Sequence, residues 1–246
     1  YGAAVVMTIT ILVSPALGVG FRRFSPAKNL IITMIAAIVS VAAAFGTAFL
    51  IMGVSLNDFQ TTLNAATQTS IDLYKSMGMA DSDIQSQTDQ MKSIMKIIML
   101  SLPAIMSLSA IISALLNFIL THYLLKRLGE RDLPGLPPFT EWRMPIIFLF
   151  LFGFSLVGMY WGSTRSIDML YNISLNGYYF ASMFCCVQGL SLLYCILQHF
   201  RLPVFPKIMI MVLVIVSYPL MEILVYAGLF DMIFDYRTRI SKRNSN

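Results

Sequence analysis

The chain has 246 residues, of which 57% are hydrophobic and only 12% charged, with a net charge of +5 and a mean hydropathy of +0.75. A soluble domain carries about 25% charged residues, so most of this surface must face lipid rather than water. The Lys and Arg residues cluster at the ends of apolar runs, where membrane anchors sit. That placement argues against nucleic-acid binding.

Tyr1 is not an initiator methionine, and upstream residues are expected. Gly2 to Gly20 is an apolar run long enough to cross a hydrocarbon core of about 30 Å. Arg22, Arg23 and Lys28 follow at once and place the first loop in the cytoplasm. Asn29 to Val54 is a second span. Its small residues Ala36, Ser40, Ala44 and Ala48 recur every fourth position, which makes a face that another helix backbone can approach closely. That face can serve packing within the bundle or docking of a separate membrane subunit.

Residues 55–90 are polar, with Asp58, Asp72, Asp81, Asp83 and Asp89 against Lys75. Phe59, Leu63, Ala66, Ser70, Leu73 and Met77 nevertheless recur at helical spacing. The segment reads as an extramembrane helical hairpin on the external side, with a break over Gly78 to Ser82 and Asp81 or Ser82 as the N-cap of the next helix. It is either a plain connector or a lid.

Met91 to Leu125 forms a third span longer than the bilayer requires, with Pro103 as the expected kink. His122, Lys126 and Arg127 mark its cytoplasmic end. The loop that follows contains Leu136-Pro-Pro-Phe-Thr-Glu-Trp-Arg-Met-Pro145. Its prolines hold φ near about −65° and oppose helix at the residues before them. Trp142 and Arg143 bring a ring and a charge to the membrane edge, where they can anchor the loop or meet a partner.

Met144 to Trp161 reads as the fourth span, Gly162 to Asn176 as a polar turn, and Gly177 to Gln198 as the fifth span. Cys185, Cys186 and Cys195 read as reduced, buried thiols, since no CxxC spacing occurs. Val204 to Phe230 reads as the sixth span, broken by Pro206 near its start and Pro219 in its interior, with Glu222 three residues after the inner proline. A carboxylate at mid-bilayer costs about 2.5–3.5 kcal/mol even on the mildest scale, so Glu222 should meet a ligand, a proton pathway or a partner helix. Residues 231–246 read as a basic polar tail with Arg237, Arg239, Lys242 and Arg243. Strict alternation of six spans puts that tail outside, against the positive-inside bias. Either a span is miscounted or the tail departs from the rule.

These features give an all-α, polytopic transmembrane bundle of about six spans in one membrane domain, residues 1–246, with an extramembrane hairpin between spans two and three. No HExxH, Gly-x-Ser-x-Gly, P-loop or paired catalytic acids appear, and His122 and His199 are isolated. The chain is therefore not expected to be an enzyme, to hold a metal or to need a cofactor.

Leu124-Leu-Lys-Arg-Leu-Gly129, the Leu136 to Pro145 stretch and Ala227-Gly-Leu-Phe-Asp-Met-Ile-Phe-Asp-Tyr-Arg237 together resemble the YybS-like predicted membrane proteins of bacteria. So does the opening Tyr1-Gly2 with its glycine-containing span ending at Arg22-Arg23. That family is grouped distantly with the S components of energy-coupling-factor transporters and with the rod-shape protein MreD. The resemblance implies a multi-pass protein of the bacterial cell membrane that holds a small molecule near the outer side. It also implies a membrane coupling protein with separate ATPase subunits as partner. S components dock through small-residue rows similar in kind to Ala36, Ser40, Ala44 and Ala48. No ligand residue carries over. The alternative is a non-transporting scaffold that recruits envelope or signalling proteins.

Overall fold

The computed structural model describes residue 20 and residues 24–51, 56–129 and 135–237. The described secondary structure is helical. Two compact units divide the chain, residues 1–134 and 135–246. Gly2 to Val19, Arg22 and Arg23, Arg131 and the tail beyond Arg237 lie outside the described residues.

The first unit holds α1 (Pro26–Ile51), α2 (Leu56–Ser76) and α3 (Asp81–Arg127). Helix α1 packs on α3. On α1 the buried residues are Asn29, Leu30, Thr33, Ala37, Ser40 and Val41. On α3 they include Ser101, Ala104, Ala110, Ile111, Ala114 and Phe118, which follow helical spacing. Alanines and hydroxyl residues dominate both faces, so the backbones can approach closely. Each hydroxyl is satisfied inside its own helix: Thr33 Oγ1 donates to the Asn29 carbonyl at 2.7 Å, and Ser40 Oγ to that of Ala36 at 2.7 Å.

Helix α2 packs on the first turns of α3 as the expected hairpin. The turn is a Schellman motif. Gly78, at φ +75°, donates to the Lys75 carbonyl at 3.0 Å, and Met79 donates to that of Tyr74 at 3.3 Å. Two details differ from the sequence reading. Ala80 rather than Asp81 or Ser82 caps α3, and its carbonyl accepts from Asp83 and Ile84 at 3.0 Å each. The packed face of α2 carries buried Thr67 and half-buried Ser70, Ile71 and Tyr74, whereas Leu73 and Met77 are exposed. The expected stripe shares Ser70 with this face but leaves out Thr67, a polar residue whose hydroxyl donates to the Met95 sulfur at 3.5 Å. Helix α3 is 47 residues long and runs through Pro103 without interruption. At about 1.5 Å per residue its length is about 70 Å, more than twice a bilayer core.

The second unit opens with a 3₁₀ turn at Phe139–Glu141, followed by α4 (Ile147–Thr164), α5 (Asp168–His199), α6 (Val204–Val216) and α7 (Tyr218–Phe234). Helices α4 and α5 form a tight antiparallel pair. Phe148 stacks on Phe184 with centroids 3.9 Å apart, Phe152 meets Tyr178 at 5.2 Å, and Gly162 lies against the Tyr171 backbone. The polar turn expected over Gly162 to Asn176 shrinks to Arg165–Ile167, and α5 starts nine residues earlier than the apolar run suggests. The polar residues fit a helix because their groups are used: Asn176 Nδ2 donates to the Asn172 carbonyl at 2.8 Å, and Ser174 fills the space beside Gly158.

Val204 to Phe230 is not one continuous helix. It breaks at Ser217, and α6 and α7 meet at 102°. The break expected at Pro219 falls two residues earlier, and Pro219 lies in the first turn of α7, where its missing N–H costs nothing. Helix α7 packs on α5 so closely that a Cβ on Gly228 would collide with the Cys185 carbonyl, and one on Gly189 with that of Leu224. Among the described residues, four helices are long and apolar enough to cross a membrane, or five if the bent pair counts as one span.

Candidate functional site

The loop of Leu136 to Pro145 and the end of α7 build a buried polar centre in the second unit. Arg237 is its hub and is 6% exposed. Its Nε donates to Asp231 Oδ2 at 2.9 Å. One terminal nitrogen donates to the carbonyls of Thr140 at 2.7 Å and Trp142 at 2.9 Å and to Ser191 Oγ at 2.9 Å. The other donates to the Gln188 carbonyl at 3.0 Å. Gln188 Nε2 donates to Asp231 Oδ2 at 2.6 Å, and Gln188 Oε1 accepts from the Met144 N–H at 2.8 Å. Ser191 Oγ donates to the Phe139 carbonyl.

The local sequence explains this arrangement. Pro137, Pro138 and Pro145 cannot donate backbone hydrogen bonds, and because the 3₁₀ turn uses only the carbonyls of Pro138 and Phe139, those of Thr140 and Trp142 lie outside any helix ladder. A guanidinium supplies five donors in a fixed fork and so serves several carbonyls at once. Asp235 ends α7 in the left-handed conformation, at φ +47°, and turns the chain back toward the loop. An ion pair at 3.0 Å joins it to Arg143 on the surface. Asp231 Oδ1 is buried and makes no hydrogen bond.

Of the residues singled out from sequence, Trp142 and Arg143 belong to this centre or its rim. Trp142 is half-buried, its indole N–H donates to the Pro137 carbonyl at 3.0 Å, and its ring meets Phe139 edge-on at 5.3 Å. Ala36, Ser40 and Ala44 lie in the first unit: Ser40 is buried and the two alanines are half-buried, while the side chain of Ala48 lies outside the description. The sequence reading missed Asp231, Gln188, Ser191 and Arg237 as a site. Asp231 and Arg237 both lie in the Ala227 to Arg237 stretch, and their six-residue separation gives no helical pairing signal. Asp231, the expected start of the basic tail, lies in α7, and both it and Arg237 are buried.

Glu222 sits elsewhere, in the second turn of α7, and is exposed. The hydroxyl of Tyr218, one turn earlier, is hydrogen-bonded to its carboxylate. Tyr178 of α5 is its neighbour and also that of Tyr226, one turn further along α7, and both rings pack on Phe152, at 5.2 Å and 6.3 Å. The corner between α6 and α7 thus gathers one carboxylate and several tyrosines in an apolar segment. In the first unit, Ser86, Asp89, Gln90, Ser93 and Ile94 line a shallow depression along one face of α3. Among the described residues no cluster of His, Cys, Asp and Glu has the geometry of a metal site.

Comparison with known proteins agrees with this picture of a membrane chain. A family model described as a predicted membrane protein, DUF2232, matches residues 2–232. The chain is 22% identical over 229 residues to the uncharacterized protein YybS of Bacillus subtilis (strain 168), covering 92% of this chain and 72% of that protein. No solved structure matches.

Proposed function

The chain belongs to the DUF2232 family of predicted membrane proteins, and we propose that it is a small-molecule-binding subunit of a membrane transport system. One observation carries this reading: the 102° break at Ser217 inside an apolar segment, with Glu222 at the corner. Interrupted helices in membranes expose backbone groups and persist where those groups line a binding site. An exposed carboxylate among apolar residues needs an occupant for the same energetic reason. A carboxylate beside tyrosine hydroxyls and ring faces suits a small molecule with a protonated amine or several hydrogen-bond donors. The chain carries no P-loop, so coupling to ATP would fall to separate subunits.

A second reading has its own support. The buried Arg237 centre holds the Leu136 to Pro145 loop in a single shape, as a docking platform requires, and leaves Pro137, Pro138 and Glu141 exposed. A scaffold for envelope or signalling proteins would use that surface.

Native mass spectrometry of the protein, gently extracted from its host membrane, separates the two. A co-purifying small molecule lost in Glu222→Gln supports the binding subunit. A ligand-free mass with a stoichiometric protein partner, unchanged in Glu222→Gln, overturns it in favour of the scaffold.

A further inference from the structure

We infer that α6 and α7 form a re-entrant hairpin, entering and leaving the membrane on the side of the Leu136 to Pro145 loop, so that the basic tail shares that side. The order of contacts along α5 and α7 carries the argument. Tyr178 of α5 neighbours Glu222, Cys185 meets Gly228, Gln188 bonds Asp231, and Ser191 bonds Arg237. Both numbers rise together, so the two helices run parallel. A chain that left α5 and crossed the membrane once through α6 and α7 would return antiparallel to α5.

The ends of the hairpin fix its side. Lys207, in the first turn of α6, places its ammonium over the Tyr194 ring at 5.7 Å, and that ring meets Phe139 of the loop at 6.0 Å. Arg237, just past the end of α7, bonds the loop carbonyls of Thr140 and Trp142. Both ends of the pair therefore lie at the level of the loop.

The corner fixes its depth. Helix α4 has 18 residues, about 27 Å at 1.5 Å per residue, which matches one hydrocarbon core. Its partners on α5 run from Tyr171, opposite Gly162, to Phe184, opposite Phe148. Tyr178 lies midway between them, and Tyr218, the first residue after the break, neighbours Tyr178 and Tyr179. Helix α6, with 13 residues, measures about 20 Å, too short to cross and long enough to reach mid-membrane obliquely.

This topology removes the conflict in the charge pattern. With α6 and α7 counted as no crossing, the basic residues that follow Arg237 in the sequence fall on the side of the membrane that Arg143 marks. Both segments then obey the positive-inside bias.

Single cysteines placed at Glu141 in the loop, Arg165 in the α4–α5 turn and Asn244 in the tail test it in whole cells with a membrane-impermeant maleimide. The native cysteines are buried or half-buried, and the unsubstituted protein gives the background. The expected result is that Glu141→Cys and Asn244→Cys react alike, and opposite to Arg165→Cys, before and after permeabilisation. Asn244→Cys reacting with Arg165→Cys would overturn the inference. A reporter enzyme or fluorescent protein fused after Asn246 of the otherwise unaltered chain reads the same side without any substitution.

Discussion

Replacing Arg237 by glutamine should cost the second unit more stability than any single change on its surface. The guanidinium is 6% exposed and its carboxylate partner 2%. Removing one member of a buried ion pair costs about 3–5 kcal/mol, because the other charge stays buried and uncompensated. Here the carbonyls of Thr140, Trp142 and Gln188 also lose their donor, and Asp231 already has one oxygen without a partner. The folded population should fall by roughly two to three and a half powers of ten. Arg143→Gln is the control. Its ion pair to Asp235 is 57% and 43% exposed, so it should cost at most about 1 kcal/mol. The chain has two tryptophans, and in a Trp161→Phe background Trp142 alone reports on the loop. Unfolding in mixed micelles with rising denaturing detergent, followed by Trp142 fluorescence, should show the loop released far earlier in Arg237→Gln than in Arg143→Gln. The double change Asp231→Asn with Arg237→Gln should lose less than the sum of the single changes. Equal, small shifts for Arg237→Gln and Arg143→Gln would refute the reasoning.

Two more predictions rest on close backbone contacts. Gly228→Ala places a methyl group against the Cys185 carbonyl and the Gly189 backbone, neither of which can swing aside, so α7 should separate from α5 at a cost of about 1–3 kcal/mol or more; detergent-melting midpoints would read it, and an unchanged midpoint would mean the helices are not in contact there. Gly78→Ala has open space around it but a φ of +75°, so its cost should stay near about 1 kcal/mol, confined to the α2–α3 hairpin and visible as faster hydrogen exchange at that turn with the spans unaffected.

The membrane class, the helical composition and most spans were legible in the chain because lipid imposes a one-dimensional signal. A span needs a long apolar run, and its ends collect charge and aromatic rings. The Leu136 to Pro145 stretch stood out for the same kind of reason, since prolines declare themselves locally. The start of α5 was hidden by its own polar residues, Asn172, Ser174 and Asn176: the Asn pair bonds within the helix, and Ser174 finds its place only once Gly158 of α4 lies alongside.

What sequence alone determined, then, is which segments enter the membrane and where the backbone cannot be helical. What tertiary structure decided is which polar groups are buried and which way the last helices run. Arg237 reads as the first basic residue of a polar tail, and only the parallel packing of α7 on α5 carries it to the loop carbonyls. Pro219 reads as a break in the last span, yet a proline in the first turn of a new helix does not choose that helix's direction. That choice turns on glycines 189 and 228 meeting across two helices, a contact between positions 39 residues apart that no local pattern encodes.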